Sequence, residues 1–276
     1  MQPDQDSFLL RMRMKKVVVS FGKALLSLNV GIILRLLWHR NISDSRNRLR
    51  GIYQLSNPFE RCDDIVLLLR TYCAGKGIEI GPGHRPYCDP NSTVFVDKVA
   101  VPVGDLKVEK IEDAWVLPFP DQRFDFLFSS HCLEHCPDTI RTLLEWRRVV
   151  RTGGYLVLIL PHVSRTFDRG RVITDLAHHI NDYETHADLA DQTHWDEFES
   201  ISVRAADHYW LDFPESYLPD GHLNRRWLAE HGLIHYHVWT THEMLDLLKY
   251  IGCRVLFSKD KLGQRSDSFA AVAQVV

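Results

Sequence analysis

The chain has 276 residues, of which 45% are hydrophobic, and its formal net charge is −3 at pH 7. This length supports one large hydrophobic core with additions, and it excludes two full-sized domains joined by linkers. The six cysteines lack the paired spacing of a disulfide scaffold, which favours a reducing compartment and a cytoplasmic protein.

Residues 1–60 are predicted to form a basic, partly apolar helical extension. Residues 1–50 carry ten Lys or Arg against three Asp or Glu, and an apolar run extends from Val17 to Trp38. A central asparagine and two cations interrupt this run, which disfavours a membrane-spanning helix, and no cleavage site follows a clean apolar core. We expect a helix packed on the domain. The alternative is peripheral contact between residues 1–40 and an anionic membrane surface.

Two short strands near residue 80 carry a pattern that is typical of nucleoside binding. A helical pattern from Cys62 to Tyr72 leads into the first strand, Gly77–Ile80, and the second strand, Thr93–Val96, ends on Asp97. Glycines after the first strand let backbone N–H groups approach a ligand, and a carboxylate after the second can accept both ribose hydroxyls. Dinucleotide oxidoreductases and S-adenosylmethionine (SAM) methyltransferases both use this arrangement. The candidate contacts are Glu79, Gly81, Gly83 and Asp97.

Residues 111–136 favour one of these two families. Asp113 precedes Leu117-Pro118-Phe119, and a strand containing Phe124-Asp125 leads into Ser130-His131-Cys132-Leu133-Glu134-His135. This order resembles the class I SAM-dependent methyltransferases of the methyltransferase type 11-like family. The resemblance implies S-adenosyl-L-methionine as the cofactor, with the acidic residue near the adenine amine and the histidine-containing turn beside the methyl group. It adds Asp113, Ala114, Ser130 and His131 to the candidate cofactor contacts.

The following segment shows the alternation of helix and strand that builds a parallel sheet. A helix is predicted between residues 137 and 150, because apolar residues recur at helical spacing behind an initial proline. Gly153-Gly154 is interpreted as the stop of this helix, and the strand Tyr155–Leu160 follows it. The pattern predicts a βαβ unit.

The last strands predict the sheet type. Arg254–Ser258 and Phe269–Val275 follow each other without an intervening helix, so they are expected to form an antiparallel hairpin. Such a hairpin in an otherwise parallel sheet resembles the methyltransferase sheet and is unusual for dinucleotide dehydrogenases. We therefore predict an α/β fold: a Rossmann-like, seven-stranded, mostly parallel sheet with a C-terminal antiparallel hairpin, in a domain spanning residues 61–276.

Residues 163–238, here called the lid segment, have the least regular pattern in the chain. Eleven of the fifteen histidines lie between His162 and His242. In this fold class, an insertion after the fifth strand lies over the carboxyl ends of the strands, where substrates bind, so we predict a lid. Each of these histidines, taken alone, is more simply a surface residue of a polar insertion.

Two histidine motifs raise the question of a metal. His131 to His135 matches the H-x-x-E-H pattern of a zinc peptidase family, but the strand before it and Pro137 after it leave no room for a long ligand helix. His235-Tyr236-His237 places two imidazoles on one face of a strand, without an identifiable third ligand. We predict no metal site from these two motifs. Whether the histidine-rich segment as a whole binds a metal is not decided by the sequence.

Methyl transfer from SAM needs positioning more than covalent help, because the sulfonium already carries an activated methyl group. A hydroxyl acceptor also needs a base, for which His162, after the fifth strand, and His135, after the fourth, are the candidates, with His179 and Asp175 behind them. We expect O-methylation of a small molecule or a sugar or glycan hydroxyl, without a nucleic-acid partner. A nicotinamide-dependent oxidoreductase and a non-catalytic methyltransferase-like binding protein are the alternatives.

Overall fold

The computed structural model describes residues 62–83, 86–98, 106–111, 113–202, 214–220 and 222–276. The expected N-terminal extension and its membrane-contact region lie outside these residues, as does the part of the lid segment around residues 203–213. Within the part of the chain that is described, no helix has both the length and the apolar character needed to cross a membrane.

Seven strands form one sheet in the described residues. The strands are β1 Gly77–Ile80, β2 Thr93–Asp97, β3 Val108–Lys110, β4 Phe124–Ser130, β5 Val150–Pro161, β6 Cys253–Lys259 and β7 Ser268–Val275. Their order across the sheet is β3-β2-β1-β4-β5-β7-β6. The first five are parallel, whereas β7 runs antiparallel between β5 and β6. The predicted mostly parallel sheet with a terminal antiparallel hairpin is therefore confirmed.

Helices flank this sheet and also build the lid segment. They are α1 Asp63–Tyr72, α2 Thr139–Val149, α3 Leu176–Thr185, α4 Trp195–Glu197, α5 Arg225–Glu230 and α6 Thr241–Tyr250. Single 3₁₀ turns occur at Leu133–His135, Val163–Arg165 and Pro214–Ser216, and a π-helical turn at Phe198–Ser202. Their starts follow from local sequence, because an N-cap side chain that accepts a backbone N–H stabilises the first turn. Asp138 caps α2 in this way, Asp175 caps α3, and Thr240 with Glu243 forms a capping box on α6.

The glycine pair after α2 has a different role from the predicted helix stop. Strand β5 begins at Val150, directly after the helix, so Gly153 and Gly154 lie inside the strand. The pairing of β4 with β5 is irregular here, and a Cβ atom on Gly154 would lie 2.5 Å from the carbonyl oxygen of Asp125. Glycine is needed at this position because the two backbones approach closely.

The core has one layer on each face of the sheet. Ile78 and Ile80 point to one face and pack in a cluster with α2 and α6, whereas Phe126 and Phe128 point to the other and pack with α1. This alternation follows from the period of two along a strand. The lid segment has a smaller core of its own, formed by Trp195, Phe198, Leu228, Ala229, Ile234 and Tyr236.

Candidate active site

The glycine turn after β1 is constrained on both sides. Gly81 has φ +72°, a left-handed conformation, and its N–H donates to the carbonyl of Val96 at 3.0 Å. A Cβ atom there would lie 2.8 Å from the Cβ of Cys132, so both the backbone conformation and this contact exclude a side chain. Gly83 has φ +54°, and its N–H donates to the Oδ2 of Asp97 at 2.9 Å. The turn and the carboxylate after β2 are thus one unit.

Glu79 serves the loop and not the cavity. Its side chain is buried, and its carboxylate accepts backbone N–H bonds from Tyr87 at 3.0 Å and from Cys88 at 2.8 Å. Burial raises the pKa of Glu79 to about 7, although these hydrogen bonds act in the opposite direction. The structure therefore places this predicted cofactor contact beneath the connection between β1 and β2, where it fixes the course of the loop.

A cavity of about 210 Å³ opens at the carboxyl ends of β1, β2 and β4. It brings together six of the residues predicted from sequence, which are Gly81, Asp97, Asp113, Ala114, His131 and His135. Its opposite side comes from the lid segment, through Leu189, Ala229, His231 and Gly232. Four predicted residues, Glu79, Gly83, Ser130 and His162, are not among its lining residues.

The acidic loop of the cavity is held by helix α2. The indole Nε1 of Trp146 donates to the carbonyl of Ala114 at 2.8 Å, and Glu145 accepts the backbone N–H of Leu117 at 2.7 Å. Asp113 itself faces Lys98, whose Nζ lies 3.4 Å from its Oδ1. The loop that contains Leu117-Pro118-Phe119 is therefore held in place by hydrogen bonds to α2. The clamping residues were missed in the sequence because they lie about 30 positions later in the chain.

His131 and Ser130, at the end of β4, are engaged by the C-terminal hairpin. His131 adopts φ +53°, and its Nε2 lies 2.8 Å from the Oγ of Ser268. Burial holds the pKa of His131 well below its usual range, so the ring is neutral near pH 7. The Oγ of Ser130 accepts a bond from Arg265 at 3.4 Å.

His135 presents a defined tautomer to the cavity. Its Nδ1 lies 2.8 Å from the carbonyl oxygen of Ile234, which can only accept, so Nδ1 carries the proton and Nε2 carries the lone pair. Burial lowers the pKa of His135 to about 3. The residue lies in a 3₁₀ turn of three residues, which confirms that the H-x-x-E-H motif does not sit on a long helix.

A buried acid and a second histidine lie behind His135. One ligand-type atom of each of Glu134, His135 and His235 falls within 4.8 Å of the other two. Glu134 is fully buried, and the Nδ1 of His131 lies 3.4 Å from its Oε1, although neither carboxylate oxygen makes a hydrogen bond among the described residues. Burial raises the pKa of Glu134 to about 7. The carboxylate is thus a group that changes charge near neutral pH beside the cavity wall.

Asp168 orients the second histidine. Its Oδ2 lies 2.7 Å from the Nδ1 of His235, and its Oδ1 accepts from Ser202 at 2.6 Å. Burial alone would raise the pKa of Asp168, but His235 and these hydrogen bonds lower it to about 2. The same carboxylate raises the pKa of His235 above its ordinary value, against the effect of burial. No local pattern predicts this pair, because its members are 67 positions apart.

Both ring nitrogens of His162, at the end of β5, contact other side chains. Its Nδ1 lies 3.0 Å from the Oγ of Ser164, and its Nε2 lies 3.4 Å from the Oδ1 of Asp260. It caps the following 3₁₀ turn, and its ring packs edge-on against Phe269. This predicted base therefore lies in the contact between the strand end and the C-terminal hairpin, outside the cavity lining.

Residues 89–158 match the family model described as a methyltransferase domain. Together with the sheet order, this match identifies the fold. The described residues have the fold of a SAM-dependent methyltransferase domain.

Two curated relatives of this methyltransferase domain show what it is similar to. Ajmaline N-methyltransferase from Rauvolfia serpentina is 40% identical over 92 residues, which cover 33% of this chain and 28% of the relative. Demethylmenaquinone methyltransferase from Listeria innocua is 39% identical over 85 residues, covering 29% of this chain and 36% of the relative. The matched part of the chain thus spans about a quarter to a third of these relatives.

A solved SAM-dependent methyltransferase from Mesorhizobium loti aligns with 79% of this chain and 100% of its own, at 14% identity and a TM-score of 0.45. A second one, from Aquifex aeolicus, aligns with 82% of this chain and 98% of its own, at 14% identity and a TM-score of 0.42.

SAM is the cofactor of this domain class, and the residues present fit it. Gly81, where the absence of a side chain makes room for Cys132, and Asp97, at the end of β2, both line the cavity. Asp113 and the main chain of Ala114 lie on the same wall. Carboxylates and main-chain polar groups of this kind are those that bind a ribose and an adenine.

Proposed function

We propose that the chain is a SAM-dependent methyltransferase that methylates a hydroxyl of a small molecule, sugar or glycan. One observation carries this proposal: the cavity brings the glycine turn, Asp97 and Asp113 together with His135, whose Nε2 carries a lone pair. A nicotinamide oxidoreductase is disfavoured by the antiparallel position of β7 in the sheet.

In this proposal Asp97 accepts the ribose hydroxyls, Asp113 and Ala114 bind the adenine, and Gly81 lets the methionine part pass close to the backbone. SAM, when bound, supplies an activated methyl group and a neutral leaving group. The cavity is smaller than the range of about 300–1,000 Å³ that is usual for small-molecule sites. We therefore expect the lid segment to shift when cofactor and acceptor bind.

His135 is the proposed base in place of His162. It accepts the hydroxyl proton at Nε2 while the acceptor oxygen forms its bond to the methyl group, and its Nδ1–H keeps the ring fixed on Ile234. The pKa of about 3 makes His135 a weak base by itself. Ionised Glu134 beside it stabilises the imidazolium that forms, because an opposite charge at short range favours the charged ring.

The cofactor is tested by calorimetry with SAM and with NAD. SAM is expected to bind, and Asp97→Ala is expected to weaken binding by about 1.5–3 kcal/mol, the range for hydrogen bonds to a charged group. Binding of NAD without SAM would refute the proposed cofactor. Unchanged SAM affinity in a folded Asp97→Ala variant would refute the ribose contact alone.

The acceptor is tested with methyl-labelled SAM and cell extract, followed by mass spectrometry of the labelled compounds. A labelled methyl group attached to an oxygen of the acceptor supports hydroxyl methylation. A labelled amine would move the proposal to N-methylation, the reaction named for the Rauvolfia relative, and would remove the need for a base at His135.

A further inference from the structure

A second group of side chains converges in the lid segment, apart from the cavity. His178 and Asp182 lie one helical turn apart on α3, and His194 lies just before α4. His237 lies between α5 and α6, in residues 231–240, here called the return segment. One ligand-type atom of each residue lies within 4.8 Å of the others. None of the four is among the residues that line the cavity.

The distances are those of a small coordination shell. His178 Nε2 is 2.9 Å from His194 Nε2, and the Oδ2 of Asp182 is 2.9 Å from His237 Nε2 and 3.2 Å from His178 Nε2. His194 Nε2 is 3.7 Å from the same oxygen. Four ligands at about 2.0–2.2 Å around a tetrahedral zinc ion are about 3.3–3.6 Å apart, so small shifts would complete such a shell.

The outer ring nitrogens have oxygen partners. The Nδ1 of His237 lies 3.1 Å from the Oγ1 of Thr139, and the Nδ1 of His194 lies 3.0 Å from the Oγ1 of Thr193. An Nδ1–H that donates outward leaves the Nε2 lone pair directed inward, which is the usual arrangement of metal-binding histidines. The Nε2 atoms of His178 and His194 lie 2.9 Å apart, so either a shared proton or a common cation lies between them.

Burial adds to the case for a cation. Asp182, His194 and His237 are buried, and a buried carboxylate is retained at acceptable cost when it is paired or binds a metal. His178 has a side chain that is 42% exposed, which gives an ion a route from solvent. The donor set of three imidazoles and one carboxylate suits zinc.

We propose that His178, Asp182, His194 and His237 bind one zinc ion that fixes the lid segment. Four protein ligands form a closed shell, which indicates a structural ion and not a catalytic one. The ligands join α3, the loop before α4 and the return segment. Leu189, between two of the ligands, lines the cavity, so the ion holds one part of the cavity wall.

No third ligand for His235 and His237 is evident from the sequence, because the other ligands of His237 lie more than 40 positions earlier. The structure also separates those two imidazoles: His235 bonds to Asp168 and His237 bonds to Asp182. A common site for the two, the arrangement considered from the sequence, is therefore wrong. Each belongs to its own cluster.

The test measures zinc in the full chain, purified without added chelator and then after chelation and titration with Zn²⁺. We expect one zinc ion per chain, loss of thermal stability on chelation and its recovery with Zn²⁺. In a chain loaded with Co²⁺, the intense visible absorption of a tetrahedral site is expected. If the wild-type chain binds zinc no more tightly than a variant that carries both His178→Gln and Asp182→Asn, the proposal is overturned and the cluster is a proton-sharing network.

Variants sharpen the test. His178→Gln and Asp182→Asn are each expected to weaken zinc affinity at least tenfold, and the partly exposed His178 is the substitution that the fold should tolerate. His242 and Asp246 supply the matched control, since they also form a histidine and aspartate pair one turn apart on a helix, at 3.5 Å. His242→Gln should leave zinc binding unchanged. Equal zinc affinity in His178→Gln, Asp182→Asn and the control would contradict the proposed shell.

Discussion

Two clusters of imidazoles and carboxylates each include residues of the lid segment, and their carboxylates are in opposite situations. Glu134 has no hydrogen-bond partner among the described residues, and burial raises its pKa to about 7. Asp182 has three imidazole nitrogens around one oxygen, and these contacts outweigh burial and lower its pKa well below the usual range. One cluster adjoins the cavity and the other does not.

The comparison shows that residue type alone does not assign chemistry. A buried carboxylate without hydrogen bonds is costly, and such groups are found where a charge change is part of function. Asp182 shares one oxygen with three imidazoles, and the zinc ion proposed between them gives this cluster a structural role. The cavity cluster is therefore expected to affect turnover, and the other cluster is expected to affect stability and metal content.

The largest effect is expected for the cavity histidine. His135→Gln should lower kcat by about 10²–10⁴-fold with a hydroxyl acceptor, because the proton acceptor is lost, while SAM affinity stays near wild type. His231→Gln is the matched control: His231 also lines the cavity, and its Nδ1 is also 2.8 Å from a main-chain carbonyl. A large loss in His231→Gln together with normal turnover in His135→Gln would transfer the role to the lid histidine.

The next effect concerns stability. Asp168→Ala should reduce the free energy of unfolding by about 3–5 kcal/mol, because buried His235 and Arg171 lose their carboxylate partner. Chemical denaturation measures this change. Asp246→Ala removes a carboxylate that pairs with Lys249 on the exposed surface, and it should leave unfolding close to wild type. Similar stability of the two variants would mean that the buried pairing contributes little.

A pH profile separates the buried acid from its neighbours. A folded pKa of about 7 for Glu134, against 4.5 for the free group, means that the folded chain binds the proton more tightly. Its contribution to stability is full below pH 4.5 and is lost as pH rises through 7, by about 3 kcal/mol in total. The facing groups His235, Asp168 and Arg265 modulate this value.

Glu134→Gln removes this dependence, so the difference in unfolding free energy between wild type and variant should change between pH 5 and about 7.5. Glu79→Gln is a useful comparison, since burial also raises the pKa of Glu79 to about 7, but away from the cavity. A constant difference between wild type and Glu134→Gln across the range would show that Glu134 is ionised throughout.

The parts of the molecule that could be predicted from sequence are those with local patterns. The strand with alternating faces at Phe124–Ser130, the glycine turn at Gly81 and the terminal hairpin each depend on neighbouring residues. Side-chain clusters depend on distant parts of the chain. Asp168 contacts His235, and Asp182 contacts His237, only in the folded lid segment. Local periodicity in the sequence does not predict such contacts between distant residues.

The smallest effect is expected for His162, which topology alone suggested as the base. The end of a parallel strand faces the cavity in this fold class, but the ring of His162 turns towards Ser164 and Asp260. His162→Gln should therefore retain turnover within about threefold of wild type, since a base would contribute at least about 10²-fold. Steady-state kinetics beside His135→Gln measures the contrast. A loss of kcat in His162→Gln as large as in His135→Gln, with normal SAM affinity, would place the strand-end histidine back in the mechanism.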